Sequence, residues 1–287
     1  MPDMDTTSLI FLFPGQGSQA KGMGKGLFER FPEITQAADE VLGYSIRRLC
    51  LEDPDNQLGQ TDYTQPAMYV VNALTYLSLK QELGRGPDFV AGHSLGEYDA
   101  LYAAGVFDFA TGLKLVKKRG ALMAQARGGG MAAVIGLTRD QIRDVLLLFG
   151  STDVSIANLN APQQTVISGF KEAIDEIKPA FEEAGARLFL PLPVSGAFHS
   201  RLMEPARREF EGFLAGFRFE APKIPVISNV EALPYPGGEV GTLLGRQITS
   251  PVRWVETMEY LLGQVNPVFK EAGPGTTLQG MLRQMKK

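Results

Sequence analysis

Among its 287 residues the chain has one cysteine, two histidines and one tryptophan. Cys50 alone cannot close an internal disulfide, and no Cys/His pairing at ligand spacing points to a metal, so neither a metal nor a cofactor is expected. No apolar run is long enough to cross a bilayer, and the opening MPDMDTTSLIFLFPG is acidic where a secretory leader is basic. There is no repeat, low-complexity tract or block of like charge. A net charge of -4 argues against wholesale binding to nucleic acid or to an anionic membrane. What remains is a protein expected in the cytoplasm, and a monomer is expected. It is 44% hydrophobic, enough for one or two domains with a large core.

The run LIFLF, Leu9 to Phe13, reads as a strand buried on both faces that ends in the glycine-rich loop Pro14-Gly15-Gln16-Gly17-Ser18. Helical spacing follows over Leu27 to Leu42 and, after Gln65-Pro66, over Ala67 to Leu83, and Phe89 to Ala91 is a second strand. Alternating strands and helices predict a parallel sheet. Between Arg127 and Val194 the order becomes β, α, β, β, α, β, the pattern of a ferredoxin-like unit. Gly128 to Gly130 and Pro191 to Gly196 mark its two junctions. The expected fold class is α/β: a discontinuous α/β-hydrolase-like domain over 1–126 and 196–287, with a parallel sheet, and an inserted ferredoxin-like domain over 127–195. Past the insertion, a helix is expected in HSRLMEPARREFEGFLAGF, a strand in KIPVISN, a helix over Trp254 to Gln264 and a last strand in PVFKEAGPG.

The segment FVAGHSLGEYDAL sets Ser94 between Gly92 and Gly96 at a strand-to-helix turn. That geometry exposes the hydroxyl in a strained corner, and the helix N-terminus behind it aims N–H groups at developing negative charge. Ser94 is the candidate nucleophile. A serine needs a base, and histidine serves near neutral pH. His93, its neighbour along an extended segment, points the other way. His199, in SGAFHSRLM, follows the serine in the Ser-then-His order of α/β-hydrolases and is the candidate base.

In TGLKLVKKRGALM the apolar stripe of Leu115, Val116, Leu122 and Met123 also contains Arg119, while Lys114, Lys117 and Lys118 project elsewhere. A buried guanidinium needs an anion. The pattern alone leaves two partners open: an internal Asp or Glu, or a substrate carboxylate gripped by the guanidinium fork.

Together FPGQGSQ, YTQPA, GHSLGEY, KKRGALM, NAPQQTVISG, AFHS and EAGPG resemble the malonyl-CoA:acyl carrier protein transacylase family, from about Leu9 to Met281. GEYDAL and KKRGALM look most like the discrete, trans-acting acyltransferases of polyketide synthases, with the fatty-acid synthesis enzymes close behind. The resemblance implies ping-pong transfer of a malonyl group from malonyl-CoA, through an acyl-serine, to the phosphopantetheine thiol of an acyl carrier protein or polyketide synthase carrier domain. It implies Ser94 as nucleophile, His199 as base and then acid, and the backbone N–H groups of Gln16 and Leu95 as the oxyanion hole. It also assigns Arg119 to the malonyl carboxylate and the main-chain carbonyl of Gln247 to orienting His199. Gln65 is placed in the pocket. Gly196 stands where relatives often carry a larger residue, which implies a wider acyl pocket, and GPGTTLQG departs from the commoner form of that turn. The alternatives are an acyl hydrolase of the same fold, or a carrier-docking module without catalysis. A basic patch for an acidic carrier is sought in Arg201, Arg207 and Arg208, or in Lys114 and Lys117.

Overall fold

The computed structural model describes residues 7–150, 152–194 and 196–285. Strand β1 (Leu9–Phe13) is followed by helices α1 (Leu27–Arg30), α2 (Pro32–Leu42), α3 (Ile46–Glu52) and α4 (Thr61–Leu83). Next come β2 (Phe89–Gly92), α5 (Gly96–Ala103) and α6 (Phe109–Ala124). The middle of the chain forms β3 (Gly129–Ile135), α7 (Arg139–Phe149), β4 (Val154–Ala161), β5 (Gln164–Phe170), α8 (Lys171–Glu183) and β6 (Leu188–Pro191). It closes with α9 (Glu204–Leu214), β7 (Val226–Ile227), α10 (Val240–Gln247), α11 (Trp254–Leu262), β8 (Val268–Glu271) and α12 (Thr277–Met285).

Two sheets result. The first runs β7-β2-β1-β8 with every pair parallel, as the alternation predicts. β1 is wholly buried because its alternate side chains enter different cores: Leu9, Phe11 and Phe13 pack with α4, α5 and α6, whereas Ile10 and Leu12 pack with Trp254, Met258 and Leu282. The second sheet, antiparallel and ordered β4-β5-β3-β6, has the strand order of a ferredoxin-like unit. Its Ala132, Val134 and Ile167 meet Ile142, Ile174 and Phe181 of the two helices, while Met131, Ala133 and Val166 turn toward the first domain. Main-chain bonds from Leu159 to Val252 (2.9 Å) and from Val252 to Ala157 (2.8 Å) tie β4 to the segment after α10.

Several element bounds differ from the sequence reading. The helical pattern from Leu27 to Leu42 is broken at Phe31 (φ −126°), because Pro32 restricts its predecessor and starts α2 itself. Helix α4 begins at Thr61, ahead of Gln65-Pro66, and carries Pro66 inside it at the cost of one main-chain hydrogen bond to the turn before. KIPVISN supplies only a two-residue strand. Among the described residues no helix is long and apolar enough to cross a membrane, and no cluster of His, Cys, Asp or Glu could hold a metal ion.

Candidate active site

Ser94 lies in the corner between β2 and α5 at φ +52°. A Cβ on Gly92 would sit 1.9 Å from the carbonyl carbon of Gly96, and one on Gly96 would sit 2.1 Å from the carbonyl oxygen of Phe13. Neither position admits a side chain, which accounts for the glycines that bracket the serine. Asn229, just past β7, clasps the corner from below: its Oδ1 accepts the Ser94 N–H at 2.7 Å and its Nδ2 donates to the Gly92 carbonyl at 2.7 Å.

His199, between β6 and α9 in the chain, meets the same point, also at positive φ (+59°). Its Nε2 is 2.7 Å from Ser94 Oγ. Nδ1 faces two carbonyl oxygens, of Gln247 at 2.9 Å and Ser250 at 3.2 Å. Carbonyls only accept, so the proton is assigned to Nδ1 and the Nε2 lone pair faces the serine hydroxyl. Burial, followed by the nearby Arg119 charge, pushes the His199 pKa down to about 3, which keeps the ring neutral and able to take a proton. His93 does point away from the serine: its Nε2 is 2.8 Å from Asn160 Oδ1 and its ring meets Trp254 edge-on.

Arg119 is 1% exposed. Its Nη1 donates to Gln65 Oε1 at 2.8 Å, and its Nη2 to Gln247 Oε1 at 2.9 Å and to Ser94 Oγ at 3.1 Å. The guanidinium carbon is 5.6 Å from the centre of the Tyr98 ring. Among the described residues no carboxylate lies within ion-pair distance of Arg119, so its charge is met by amide oxygens, a hydroxyl and a ring. The internal ion pair left open by the sequence is therefore not found among the described residues.

The loop after β1 completes the front of the site. A Cβ on Gly15 would fall 2.4 Å from the His93 carbonyl oxygen and 3.6 Å from Leu95 N, so this loop is pressed against the serine corner. Gln16 and Leu95 both line the cavity there, with Leu95 capping the N-terminus of α5. The cavity measures about 210 Å³. Ser94, Arg119, Gln65 and His199 form its polar end, and Met123, Met131, Val166, Leu192, Val194 and Phe198 its apolar wall. Thr277 and Leu278, from the GPGTTLQG segment, border it as well.

All seven residues singled out in the sequence thus gather at one place: five at the cavity surface with Arg119, and Gln247 directly behind Arg119 and His199. Two expectations change. Gly196 is not in the cavity wall; a Cβ there would lie 2.5 Å from Phe198 Cε1, so the missing side chain makes room for that ring. The arginines considered for a carrier patch are locally neutralised, Arg201 by Asp153, Arg207 by Glu204 and Glu211, and Arg208 by Glu204. Lys117 caps the carbonyls of Val41 and Leu42 at the end of α2.

Sequence reasoning gave no role to Glu97, Asn229 or Tyr235. Glu97 is fully buried and accepts from Asn229 N (2.8 Å), from Tyr235 OH (2.9 Å) and from Gln247 Nε2. Burial raises its pKa to about 7 against the pull of those donors and of Arg119. An acid in the first turn of a helix reads as a dipole partner, and nothing in the local pattern distinguishes a buried hub from a solvated one.

A family model described as an acyl transferase domain matches residues 10–287. The chain is 53% identical, over 97% of its length and 96% of the relative's, to a polyketide biosynthesis malonyl CoA-acyl carrier protein transacylase, BaeC, of Bacillus velezensis. It is also 56% identical to polyketide biosynthesis protein ThaF of Burkholderia thailandensis, of whose greater length it spans 24%. Among solved structures, a malonyl CoA-acyl carrier protein transacylase from Burkholderia pseudomallei superposes with a TM-score of 0.94 at 51% identity, covering 97% of this chain and 98% of that one. PlMCAT, a malonyl-transacylase solved in complex with AntF, a type II polyketide synthase acyl-carrier protein, gives 0.92 at 38% identity, with 97% and 93% covered. The serine corner, the imidazole across from it and the unbroken match along the chain place this protein in the acyl transferase domain family.

Proposed function

We propose that the protein transfers a malonyl group from malonyl-CoA to the phosphopantetheine thiol of an acyl carrier protein in polyketide biosynthesis, through an ester on Ser94. The observation that carries the reading is a buried cation, Arg119, with no carboxylate at ion-pair distance among the described residues, 3.1 Å from the hydroxyl of the Ser94–His199 pair. A pocket for uncharged acyl groups gains nothing from such a cation, which weighs against a general acyl hydrolase. A paired serine and imidazole weigh against a module that only docks carriers. The names of the relatives and the carrier complex of PlMCAT support the donor and acceptor classes.

In the first half-reaction the Ser94 proton passes to His199 Nε2 while Oγ attacks the thioester carbon. The carbonyl becomes an oxyanion, for which the N–H groups of Gln16 and Leu95 are the donors. Collapse breaks the C–S bond, and the departing CoA sulfur takes the proton from His199. In the second half the carrier thiol gives its proton to His199, attacks the ester and displaces Ser94, which recovers the proton. The Nδ1 bond to the Gln247 carbonyl holds the ring for both transfers, so no acidic third member is required. Arg119 exchanges the serine hydroxyl for the malonyl carboxylate, while Gln65 and Gln247 keep hold of its other N–H groups.

We also take residues 127–195 as an inserted domain, on the strength of its separate sheet and its own helix-covered core.

Incubation with malonyl-CoA should add one malonyl mass to the protein, mapped by peptide mass spectrometry to Ser94. Ser94→Ala should abolish that adduct and lower transfer by at least about 1,000-fold; an undiminished adduct refutes the reading. Arg119→Ala should lose malonyl transfer selectively and raise the relative use of acetyl-CoA.

A further inference from the structure

Glu97 lies beneath the reacting pair and touches neither Ser94 Oγ nor the cavity, yet two of its three donors lead back to the site. Asn229, whose N–H it accepts at 2.8 Å, clasps the Gly92–Ser94 corner with its side chain. Gln247, whose Nε2 it accepts, also gives that Nε2 to the Ser94 carbonyl at 2.7 Å, turns Oε1 to Arg119 at 2.9 Å, and offers its main-chain carbonyl to His199. A primary amide has one donating end and one accepting end. The two acceptors of Gln247 Nε2, the Ser94 carbonyl and Glu97, therefore together decide that Oε1, and not an N–H, faces the guanidinium.

We propose that Glu97 is a positioning residue that orients the Gln247 amide and thereby presents Arg119 to the carboxylate of the incoming acyl group. The preference for a carboxylated donor then depends on a side chain that meets no substrate. The inference rests on the malonyl transfer proposed above.

The hub requires a group that accepts on both sides. Glu97 Oε1 meets two donors and Oε2 a third. A protonated carboxyl still satisfies this arrangement, because its single proton can go to the Tyr235 oxygen. An amide cannot: its NH₂ must face either Asn229 N–H or Gln247 NH₂. Glu97→Gln therefore either pushes the Gln247 amide off its fit between the Ser94 carbonyl and Arg119, or releases the Asn229 clasp.

The test compares kcat/KM for malonyl-CoA and acetyl-CoA, each scaled to the fraction of enzyme that forms an acyl adduct. Glu97→Gln should reduce the malonyl-to-acetyl ratio by about tenfold or more, chiefly through KM for malonyl-CoA. In an Arg119→Ala background the same change should leave the ratio where Arg119→Ala alone puts it, since the two act through one path. Tyr235→Phe, which removes the donor that does not lead to the site, should keep the wild-type ratio. If Glu97→Gln does not fold, Glu97→Asp, which withdraws the carboxylate by one methylene, should show the same fall. An equal loss on both donors, or an undiminished effect without Arg119, overturns the proposal. Failure of the wild-type protein to form a malonyl ester at Ser94 would instead overturn the underlying reading, so the two failures are told apart.

Discussion

At the scale of single residues the site is organised by acceptors. Arg119, His199 and the Ser94 main chain each end on an oxygen of Gln247, Gln65 or Asn229. One consequence concerns pH. His199 is held down to about 3 in the fold, whereas an unfolded histidine titrates near 6.5. The unfolded chain therefore binds the extra proton, and the contribution of this residue to stability is complete above about 6.5 and declines as pH falls from there toward 3. Glu97 works in the opposite sense: raised from 4.5 to about 7, it favours the fold below 4.5 and loses that contribution as pH rises through about 7. Denaturant melts from about pH 4 to 7 should show a steeper acid loss for Glu97→Gln than for wild type, and a shallower one for His199→Gln. The proposed catalysis follows the same ionisation. Since His199 stays neutral, kcat/KM should not fall as pH drops through 6.5, and a break at that value would show an imidazole in ordinary solvation.

At the scale of elements, the serine corner is the least forgiving part of the chain. Gly96→Ala puts a methyl group against the main chain of β1, where no side chain can yield. It should cost about 1–3 kcal/mol in a urea melt and abolish Ser94 acylation, because relief of the clash moves the corner. The same elements show what could be read in advance. β1, β2, α6 and the six elements from β3 to β6 announce themselves by a hydrophobic period, most of them closed by glycine or proline, and the motif order singled out Ser94, His199 and Arg119. α3 and α10 escaped, since seven or eight residues give too little of a period to stand out from flanking loops. β7 is short because only Val226 and Ile227 pair with β2. What no local pattern could carry was the Glu97–Asn229–Gln247 hub, whose members lie up to 150 residues apart and are joined only by the tertiary fold.

At the scale of the molecule, the cavity has one wall from each sheet. Its floor and polar end come from the parallel-sheet domain, and Met131, Val166 and Leu192 come from or directly follow strands of the other. Leu192, half-buried at that wall, is the place to obstruct it. Leu192→Trp should lower kcat/KM for malonyl-CoA by about tenfold or more with little change in melting temperature, as checked by steady-state kinetics beside thermal melts. Charge also looks different at this scale than along the chain. Arg201, Arg207 and Arg208 suggested a basic patch in sequence, but each finds an acid on a neighbouring turn or loop, and spacing alone does not reveal pairs such as Arg201 with Asp153.

Ser94 and His199 stand on either side of the 127–195 segment, and both hold backbone angles that a free chain rarely visits. Their meeting therefore waits until the stretches before and after that segment have closed on each other. A nascent or half-assembled chain carries only an ordinary alcohol and a solvated imidazole. On the proposed mechanism, reactivity toward thioesters arrives together with the chamber that confines it.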